Sequence, residues 1–90
     1  MEFEWDEAKR LLNFQKHGID FADAEILFSQ EVIIFEDNRY EYGEIRFRAL
    51  GTIESLVVSA VFTMRGEKVR VISIRPANKK ERKRYAQTQK

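Results

Sequence analysis

The chain has 90 residues, of which 43% are hydrophobic, a formal net charge of +1 and no cysteine. This length accommodates one small hydrophobic core, so we expect residues 1–90 to form a single domain. The lack of cysteine excludes disulfides, thiolate metal sites and cysteine nucleophiles. Because no apolar segment is long enough to cross a bilayer and the N-terminus is acidic, we predict a cytoplasmic protein with no membrane partner.

A strand and a helix are predicted at the start of the chain. Phe3 and Trp5 lie on one side of an extended segment and glutamates on the other, which is typical of a half-buried strand. Asp6 is a suitable N-cap for the helix that follows, and Gly18 stands where a helix end favours a left-handed residue. The apolar positions of this helix recur at helical spacing: Ala8, Leu11, Leu12 and the stem of Gln15.

A second helix and four strands are predicted next. Asp20 can cap a helix that runs to Phe28 and forms a short hairpin with the first helix around Gly18. After Gln30 the hydrophobic period changes from helical to strand-like. The predicted strands are joined by loops or turns and cover residues 32–36, 44–50, 56–64 and 68–75.

A final helix follows the last strand. Pro76 stops the strand, and Asn78 with Glu81 matches a capping box that opens a helix to about Thr88. The predicted fold class is therefore α+β. It consists of an antiparallel β-sheet meander with an N-terminal strand, a two-helix hairpin and a C-terminal helix.

The charges are unevenly distributed along the chain. Residues 1–60 contain six Lys or Arg and thirteen Asp or Glu, whereas residues 61–90 contain ten and two. This segregation indicates that residues 61–90 bind a polyanion and that the acidic part of the chain binds a basic partner. The alternative is that the basic side chains only solvate a terminal helix. That accounts for residues 79–84 but not for four residues in strand-like sequence: Arg65, Lys68, Arg70 and Arg75.

The last strand and its surroundings predict a nucleic-acid surface. Alternation places two sets of side chains on opposite faces: Val69, Val71, Ser73 and Arg75 on one, and Arg70, Ile72 and Ile74 on the other. More basic residues lie nearby: Arg46, Arg48, Lys79, Arg82 and Lys83. Guanidinium groups bind phosphates in a bidentate manner, and Tyr85 could stack on an unpaired base. The alternative is that these arginines pair with the acidic half of the chain.

Two acidic features have simpler explanations than catalysis or metal binding. The spacing of Glu81 from Asn78 favours a capping role over a catalytic one. The central loop contains four carboxylates: Glu36, Asp37, Glu41 and Glu44. They show no recognised ligand spacing and are interrupted by Arg39, so we predict a solvated loop, no metal and no cofactor. The residues by themselves indicate a small RNA- or protein-binding domain.

Three separated segments extend this prediction: FEWDEAKRLLNFQKHGIDFADAEILF, GEIRFRALG and VRVISIRPANKKERKRY. In this order they resemble the BrnT family of toxins from bacterial type II toxin–antitoxin systems. The resemblance implies a fold similar to RelE-like ribonuclease toxins and an RNA-cleaving activity that arrests growth. It also implies a small DNA-binding antitoxin, BrnA, as partner, and contact with operator DNA through the antitoxin complex.

The matching positions lie in all three segments: Trp5, Asp6, Lys9, Asn13, Lys16, His17, Gly18, Gly43, Glu44, Arg46, Gly51, Arg70, Ile72, Ser73, Arg75, Ala77, Glu81, Arg82 and Tyr85. One departure is visible, because the family usually has alanine where this chain has Ile74. A larger side chain is tolerated there if it faces the core together with Ile72.

A metal-free ribonuclease needs a group that exchanges protons and groups that stabilise phosphate charge. His17 is the only histidine and can titrate near neutral pH, but a helix end favours its charged form. The sequence therefore favours a structural role for His17 and leaves a catalytic one open. The predicted catalytic residues are Arg46, Arg75, Arg82 and His17. The predicted RNA-binding residues are Lys16, Arg48, Arg70, Lys79, Lys83 and Tyr85. The alternatives are a non-catalytic nucleic-acid-binding module of a repressor complex and a protein-interaction domain.

Overall fold

The structure, a computed structural model, describes residues 1–89. Its main elements are β1 (Glu2–Trp5), α1 (Glu7–His17), α2 (Ala24–Phe28), β2 (Ile33–Glu36), β3 (Phe47–Ile53), β4 (Leu56–Arg65), β5 (Lys68–Pro76) and α3 (Lys79–Thr88). A short 3-10 helix, Phe21–Asp23, leads into α2. The predicted α+β class is thus confirmed. Within residues 1–89, no helix has the length and apolar character needed to cross a membrane.

The five strands form one mixed sheet in the order β1-β5-β4-β3-β2. From β2 to β5, each strand runs antiparallel to the next one in the chain. By contrast, β1 pairs with β5 in parallel, with Glu2 opposite Lys68 and Trp5 opposite Val71. The prediction of an antiparallel sheet is wrong for β1. No hairpin forces these two strands into opposite directions, because the helices and three other strands separate them in the chain.

Residues 19–28, which include the 3-10 helix and α2, cover one side of the sheet, which we call the core face, whereas α1 lies along the edge of β5. Its buried residues come from the helical region and from three strands: Ile19, Phe21, Ala24, Leu27, Ala49, Ile53, Val58, Ala60, Phe62, Val69, Val71 and Ile74. Gly51 allows α2 to approach β3 closely. A Cβ atom there would lie 2.6 Å from Leu27 and 2.9 Å from Val32. The core therefore depends on a residue without a side chain at this crossing.

The ends of α1 and α3 follow the predicted capping signals. The Asp6 side chain accepts a hydrogen bond from the Lys9 amide at the start of α1. Gly18 ends this helix in the left-handed region, with φ of 71°. At α3, Asn78 and Glu81 exchange the two hydrogen bonds of a capping box. The predicted caps of α1 and α3 are therefore confirmed, whereas Asp20 caps the 3-10 helix and α2 begins at Ala24 without a side-chain cap.

The orientation of α1 differs from the usual amphipathic arrangement. Its only buried residue is Asn13, and Leu11, Leu12 and Phe14 are exposed. The Asn13 amide nitrogen donates to the Ile74 carbonyl at 2.8 Å, and its oxygen accepts from the Ile74 amide at 3.1 Å. The helix prediction was correct. The contact of Asn13 with Ile74, and not the packing of apolar residues, determines which side of α1 lies against β5.

A bulge in β5 changes which side chains share a face. The ladder between β4 and β5 skips Ile72, so that Val71 before it and Ile74 after it both lie in the core. Regular alternation would place these two on opposite faces. Ser73 and Arg75 consequently project away from the core face. The predicted grouping of Val71 with Arg75 is therefore wrong, and so is that of Ile72 with Ile74.

Candidate functional site

Two arginines converge on one buried carboxylate on the side of the sheet opposite the core face. Arg75 on β5 donates to both oxygens of Glu81, at 2.7 and 2.9 Å, and Arg48 on β3 donates to one of them at 2.8 Å. The Glu81 side chain is only 7% exposed. We call these three residues the Glu81 cluster. It joins two strands to the first turn of α3.

The charge state of Glu81 follows from these contacts. Burial raises its pKa, but hydrogen bonds from Arg75 and from the Asn78 amide outweigh this effect, so that the pKa is lowered. Glu81 is thus an ionised carboxylate at neutral pH and is unsuited to exchanging protons there. The predicted cap role is confirmed. The additional role of holding two arginines was not predicted, because it depends on strands distant in sequence.

The cluster continues into a cation–π stack. The guanidinium groups of Arg48 and Arg84 lie over the Phe35 ring, with centroid distances of 4.6 and 4.0 Å. Arg84 was not among the predicted site residues, since nothing in the sequence pairs it with β2. Together Arg48, Arg75 and Arg84 carry three positive charges against the one negative charge of Glu81. This region of the surface therefore has a net positive charge.

A groove of about 230 Å³ lies between α1 and the bulged part of β5. Its lining combines two lysines and the histidine with residues from both elements: Lys9, Leu12, Asn13, Lys16, His17, Ile72 and Ser73. The position of His17 follows from the Asn13 contact, because residues four apart lie on the same side of a helix. The bulge at Ile72 brings Ser73 to the opposite wall.

The groove lowers the pKa of His17 below its ordinary value of 6.5. Burial is the main cause, followed by the positive charges of Lys16 and Arg75. Burial and the two neighbouring charges thus act against the charged imidazole that the helix end was expected to favour. His17 is mostly neutral at pH 7 and can accept a proton. The influence of Arg75 also links the groove with the Glu81 cluster.

Two predicted residues are held in ion pairs of their own. Arg46 donates to Glu44 at 3.0 Å and stacks over the Tyr42 ring, 4.2 Å from its centroid. Arg70 on β5 donates to Glu4 on β1 at 2.6 Å. The sequence alternative, in which strand arginines pair with the acidic half of the chain, is correct for these contacts. Neither residue is drawn into the Glu81 cluster.

The other predicted residues lie along α3. The Arg82 guanidinium donates to the Ala77 carbonyl at 2.8 Å, just before the helix begins. Lys79 and Lys83 are exposed, and Tyr85 is half-buried. Thus α3 adds a basic surface beside the Glu81 cluster. None of these four side chains belongs to the cluster as defined above.

The loop between β2 and β3 contains a second buried carboxylate. Asp37 accepts from the Arg39 guanidinium at 2.8 and 2.9 Å and from the Tyr42 hydroxyl at 3.1 Å. The hydrogen bonds from Arg39 are the main reason that the pKa of Asp37 is lowered to about 2. The prediction of a solvated loop is wrong for Asp37. Among residues 1–89, no three or more His, Asp or Glu side chains are grouped so that they could hold a metal ion.

Comparison with protein-family models matches residues 5–81 to the family described as the ribonuclease toxin BrnT of type II toxin–antitoxin systems. A search of curated proteins found no match. The matched range includes His17, Arg48, Arg75 and Glu81, and thus both the groove and the Glu81 cluster. The family resemblance noted in the sequence is confirmed. The chain belongs to the BrnT family of ribonuclease toxins.

Proposed function

We propose that this protein is a metal-independent endoribonuclease in which His17 is the general base and Arg75 stabilises the reacting phosphate. Family membership supports RNA as the substrate. The observation that carries the proposal is the environment of His17, a groove residue whose pKa is lowered by burial, by Lys16 and by Arg75. A neutral imidazole beside fixed positive charges suits the removal of a proton next to a phosphate.

Cleavage starts when His17 takes the proton of a ribose 2′-hydroxyl. The 2′-oxygen then forms a bond to the adjacent phosphorus, and the bond from phosphorus to the 5′-oxygen breaks. The products are a 2′,3′-cyclic phosphate and a 5′-hydroxyl end. Water supplies the proton of the leaving oxygen, because the chain has no second histidine and no cysteine to do so near neutral pH. No metal or cofactor takes part.

Arg75 stabilises the negative charge that develops on the phosphate. Its side chain is 28% exposed although Glu81 binds two of its nitrogens, so a phosphate can reach it while its position is fixed. Lys16 holds the substrate in the groove. We assign the remaining predicted residues to binding RNA on either side of the scissile bond: Arg46, Arg48, Arg70, Lys79, Arg82, Lys83 and Tyr85.

The wider setting follows from the family. We propose that residues 1–90 form one domain with a RelE-like topology and that the protein acts on RNA in the cytoplasm. Its activity arrests growth until a BrnA-like antitoxin binds it. The antitoxin binds DNA, and through it the complex contacts operator DNA.

Replacing His17 with Gln tests the role of the base. Glutamine keeps hydrogen bonding but cannot titrate, so cleavage should fall by about 100-fold or more while the free energy of unfolding changes by less than about 1 kcal/mol. Cleavage of a defined RNA and urea unfolding are measured on the same preparation. Gln15→Ala is the control, since Gln15 is an exposed residue of the same helix that does not line the groove. Undiminished cleavage by a destabilised His17→Gln protein would instead assign His17 to the helix end.

The pH dependence gives a second test of the same group. Because the pKa of His17 lies below 6.5, the neutral form predominates above that value. The cleavage rate should therefore rise with pH, with a midpoint below 6.5, and then level off. The rise should disappear in His17→Gln. A midpoint above 6.5 would contradict the assignment.

A second candidate function is a non-catalytic nucleic-acid-binding module within a repressor complex. It is favoured by one observation, which is that Glu81 already binds Arg75 and Arg48 and offsets part of their charge. Incubating the purified protein with RNA in EDTA and in Mg²⁺ separates the two. Cleavage in EDTA supports the metal-independent enzyme, cleavage only with Mg²⁺ contradicts that mechanism, and binding without cleavage supports the second candidate.

A further inference from the structure

The apolar residues of α1 lie on the side of the helix that points away from the sheet, where Glu7 and Gln15 are also exposed. Leu11, Leu12 and Phe14 are 51%, 64% and 53% exposed. With about 100° between successive residues, these three and Ala8 lie about 100° or more around the helix from the buried Asn13. We call Ala8, Leu11, Leu12 and Phe14 the outer face of α1. The apolar residues of this helix are thus turned outwards instead of towards the core.

Other contacts keep α1 in place, so the outer face is not needed for folding. Asp6 caps the first turn, Gly18 ends the helix, and Asn13 joins it to β5. Adjacent apolar residues that remain exposed on a small protein usually mark a surface for another molecule. The stability of the folded chain therefore does not explain why these apolar residues are exposed, whereas contact with another molecule does.

Leu12 belongs both to the outer face and to the groove that contains His17. Lys9 and Lys16 line the same groove, three residues before Leu12 and four after it. On a helix these spacings make both lysines direct neighbours of Leu12. A molecule seated on Leu12 would thus meet two positive charges along one side and would lie over the mouth of the groove.

We propose that the outer face of α1 is where the antitoxin docks, through an amphipathic segment with apolar and acidic side chains. Its apolar residues pack on Leu11, Leu12 and Phe14, and its carboxylates pair with Lys9 and Lys16. The proposal rests on the proposed function in one respect, because the seated segment inhibits the toxin by keeping RNA away from His17. Membership of a toxin–antitoxin family supplies the kind of partner.

Charge also argues against a second copy of this chain as the occupant. In a symmetric dimer the same surface lies on both sides of the contact. If the two-fold axis passes near Leu12, Lys9 and Lys16 of one copy approach the same lysines of the other, and like charges at close range are unfavourable. An acidic segment of a different protein meets these lysines with opposite charge. The surface is thus better suited to the antitoxin.

The test uses the product of the reading frame that adjoins the toxin gene as the probe. Leu11→Glu and Phe14→Glu, made separately, each place a carboxylate on the outer face without altering a groove residue. Leu56→Glu is the matched control, since Leu56 is 45% exposed on β4. We expect the dissociation constant to rise about 30-fold or more for the two α1 variants and less than about threefold for the control. Free Leu11→Glu should cleave RNA like the unchanged protein.

Several outcomes would overturn the proposal. These are unchanged neutralisation of both α1 variants, loss of cleavage by the folded free variants, or failure of the adjoining product to bind the unchanged protein. Conversion of a self-associated chain into a monomer by Leu11→Glu would make the outer face a dimer contact instead. If Leu11→Glu unfolds, Leu11→Gln replaces it in the same assays. If the unchanged protein does not cleave RNA but the variants still lose the partner, the proposed function fails and the docking surface stands.

Discussion

The two buried carboxylates of this protein, Asp37 and Glu81, are both held by arginines but organise different amounts of structure. They are 5% and 6% exposed. The partner of Asp37 is Arg39, two residues away in the same loop. Glu81 binds Arg75, six residues away, and Arg48, 33 residues away on a central strand. One carboxylate orders a loop, whereas the other joins two strands to α3.

The comparison shows why similar ion pairs need not have similar consequences. Asp37 also accepts from Tyr42, so its contacts close within the β2–β3 loop. Arg75 remains partly exposed beside the His17 groove and influences the pKa of His17. Disturbing Asp37 should therefore change stability alone. Disturbing the Glu81 cluster should change both stability and RNA cleavage.

The largest effect is expected for Arg75→Ala. Removing the group that we propose to stabilise the phosphate should lower the cleavage rate about 10²–10³-fold, or about 2.7–4 kcal/mol. Lysine at this position should restore little of the cleavage activity, because a point charge cannot reproduce a bidentate contact with a phosphate. Arg39→Ala is the matched control, because it removes the arginine that binds the other buried carboxylate, Asp37, and this variant should cleave RNA at the full rate. A folded Arg75→Ala protein as active as the unchanged one would remove Arg75 from the site.

Glu81→Gln is expected to cause the largest loss of stability. The neutral amide leaves Arg48 and Arg75 partly buried without a countercharge, which should lower the free energy of unfolding by about 3 kcal/mol. Cleavage by the folded fraction should fall as well, because both arginines lose their fixed positions. Urea unfolding and a cleavage assay on the same sample measure the two effects. Loss of stability with unchanged cleavage would show that Glu81 does not position the site.

Asp37→Asn should lower stability by about 2 kcal/mol at pH 7 and leave cleavage unchanged. The ordinary pKa of the carboxyl is 3.8, and in the fold it is about 2. Because the folded value is the lower one, this stabilisation is complete above pH 3.8 and is lost as the pH falls through about 2. Unfolding curves of both proteins should therefore converge in acid. A difference that persists below pH 2 would contradict the ionic origin of the effect.

Asn78→Ala has the smallest expected effect. It distinguishes the helix cap from the second role of Glu81, which is to bind Arg48 and Arg75. It removes the side-chain bond to the Glu81 amide but leaves the Glu81 carboxylate with Arg48 and Arg75. Loss of one N-cap should cost about 1 kcal/mol. Cleavage at a temperature where the protein stays folded should not change. If cleavage falls as far as in Glu81→Gln, then the cap itself holds the site together.

Features that depend on neighbouring residues could be predicted from the sequence. Asp6, Gly18 and the pair Asn78 and Glu81 were identified from short-range spacing, and each occupies its predicted place at a helix end. Strands β2, β4 and β5 were located to within one residue because their pattern is local, whereas β3 covers residues 47–53 and not the predicted 44–50. Such signals need only the geometry of one helix or strand.

Features decided by contacts between elements could not be predicted. The bulge at Ile72 depends on pairing with β4, and the direction of α1 depends on the amide of Asn13 reaching Ile74. The burial of Asp37 likewise depends on the loop conformation that brings Arg39 and Tyr42 into contact with its carboxylate. The convergence of Arg48 and Arg75 on Glu81 is the clearest example, because no local pattern specifies that three elements meet.

The contact between Asn13 and Ile74 also has a consequence outside the folded monomer. Beyond Val71, the last residue of β5 paired with β1, an unprotected strand would offer free amide and carbonyl groups to the strands of other molecules. The Asn13 side chain occupies both groups of Ile74, as a neighbouring backbone would. One side chain thus closes this stretch of edge to intermolecular strand pairing, and so protects a small and highly charged protein from a common route to aggregation.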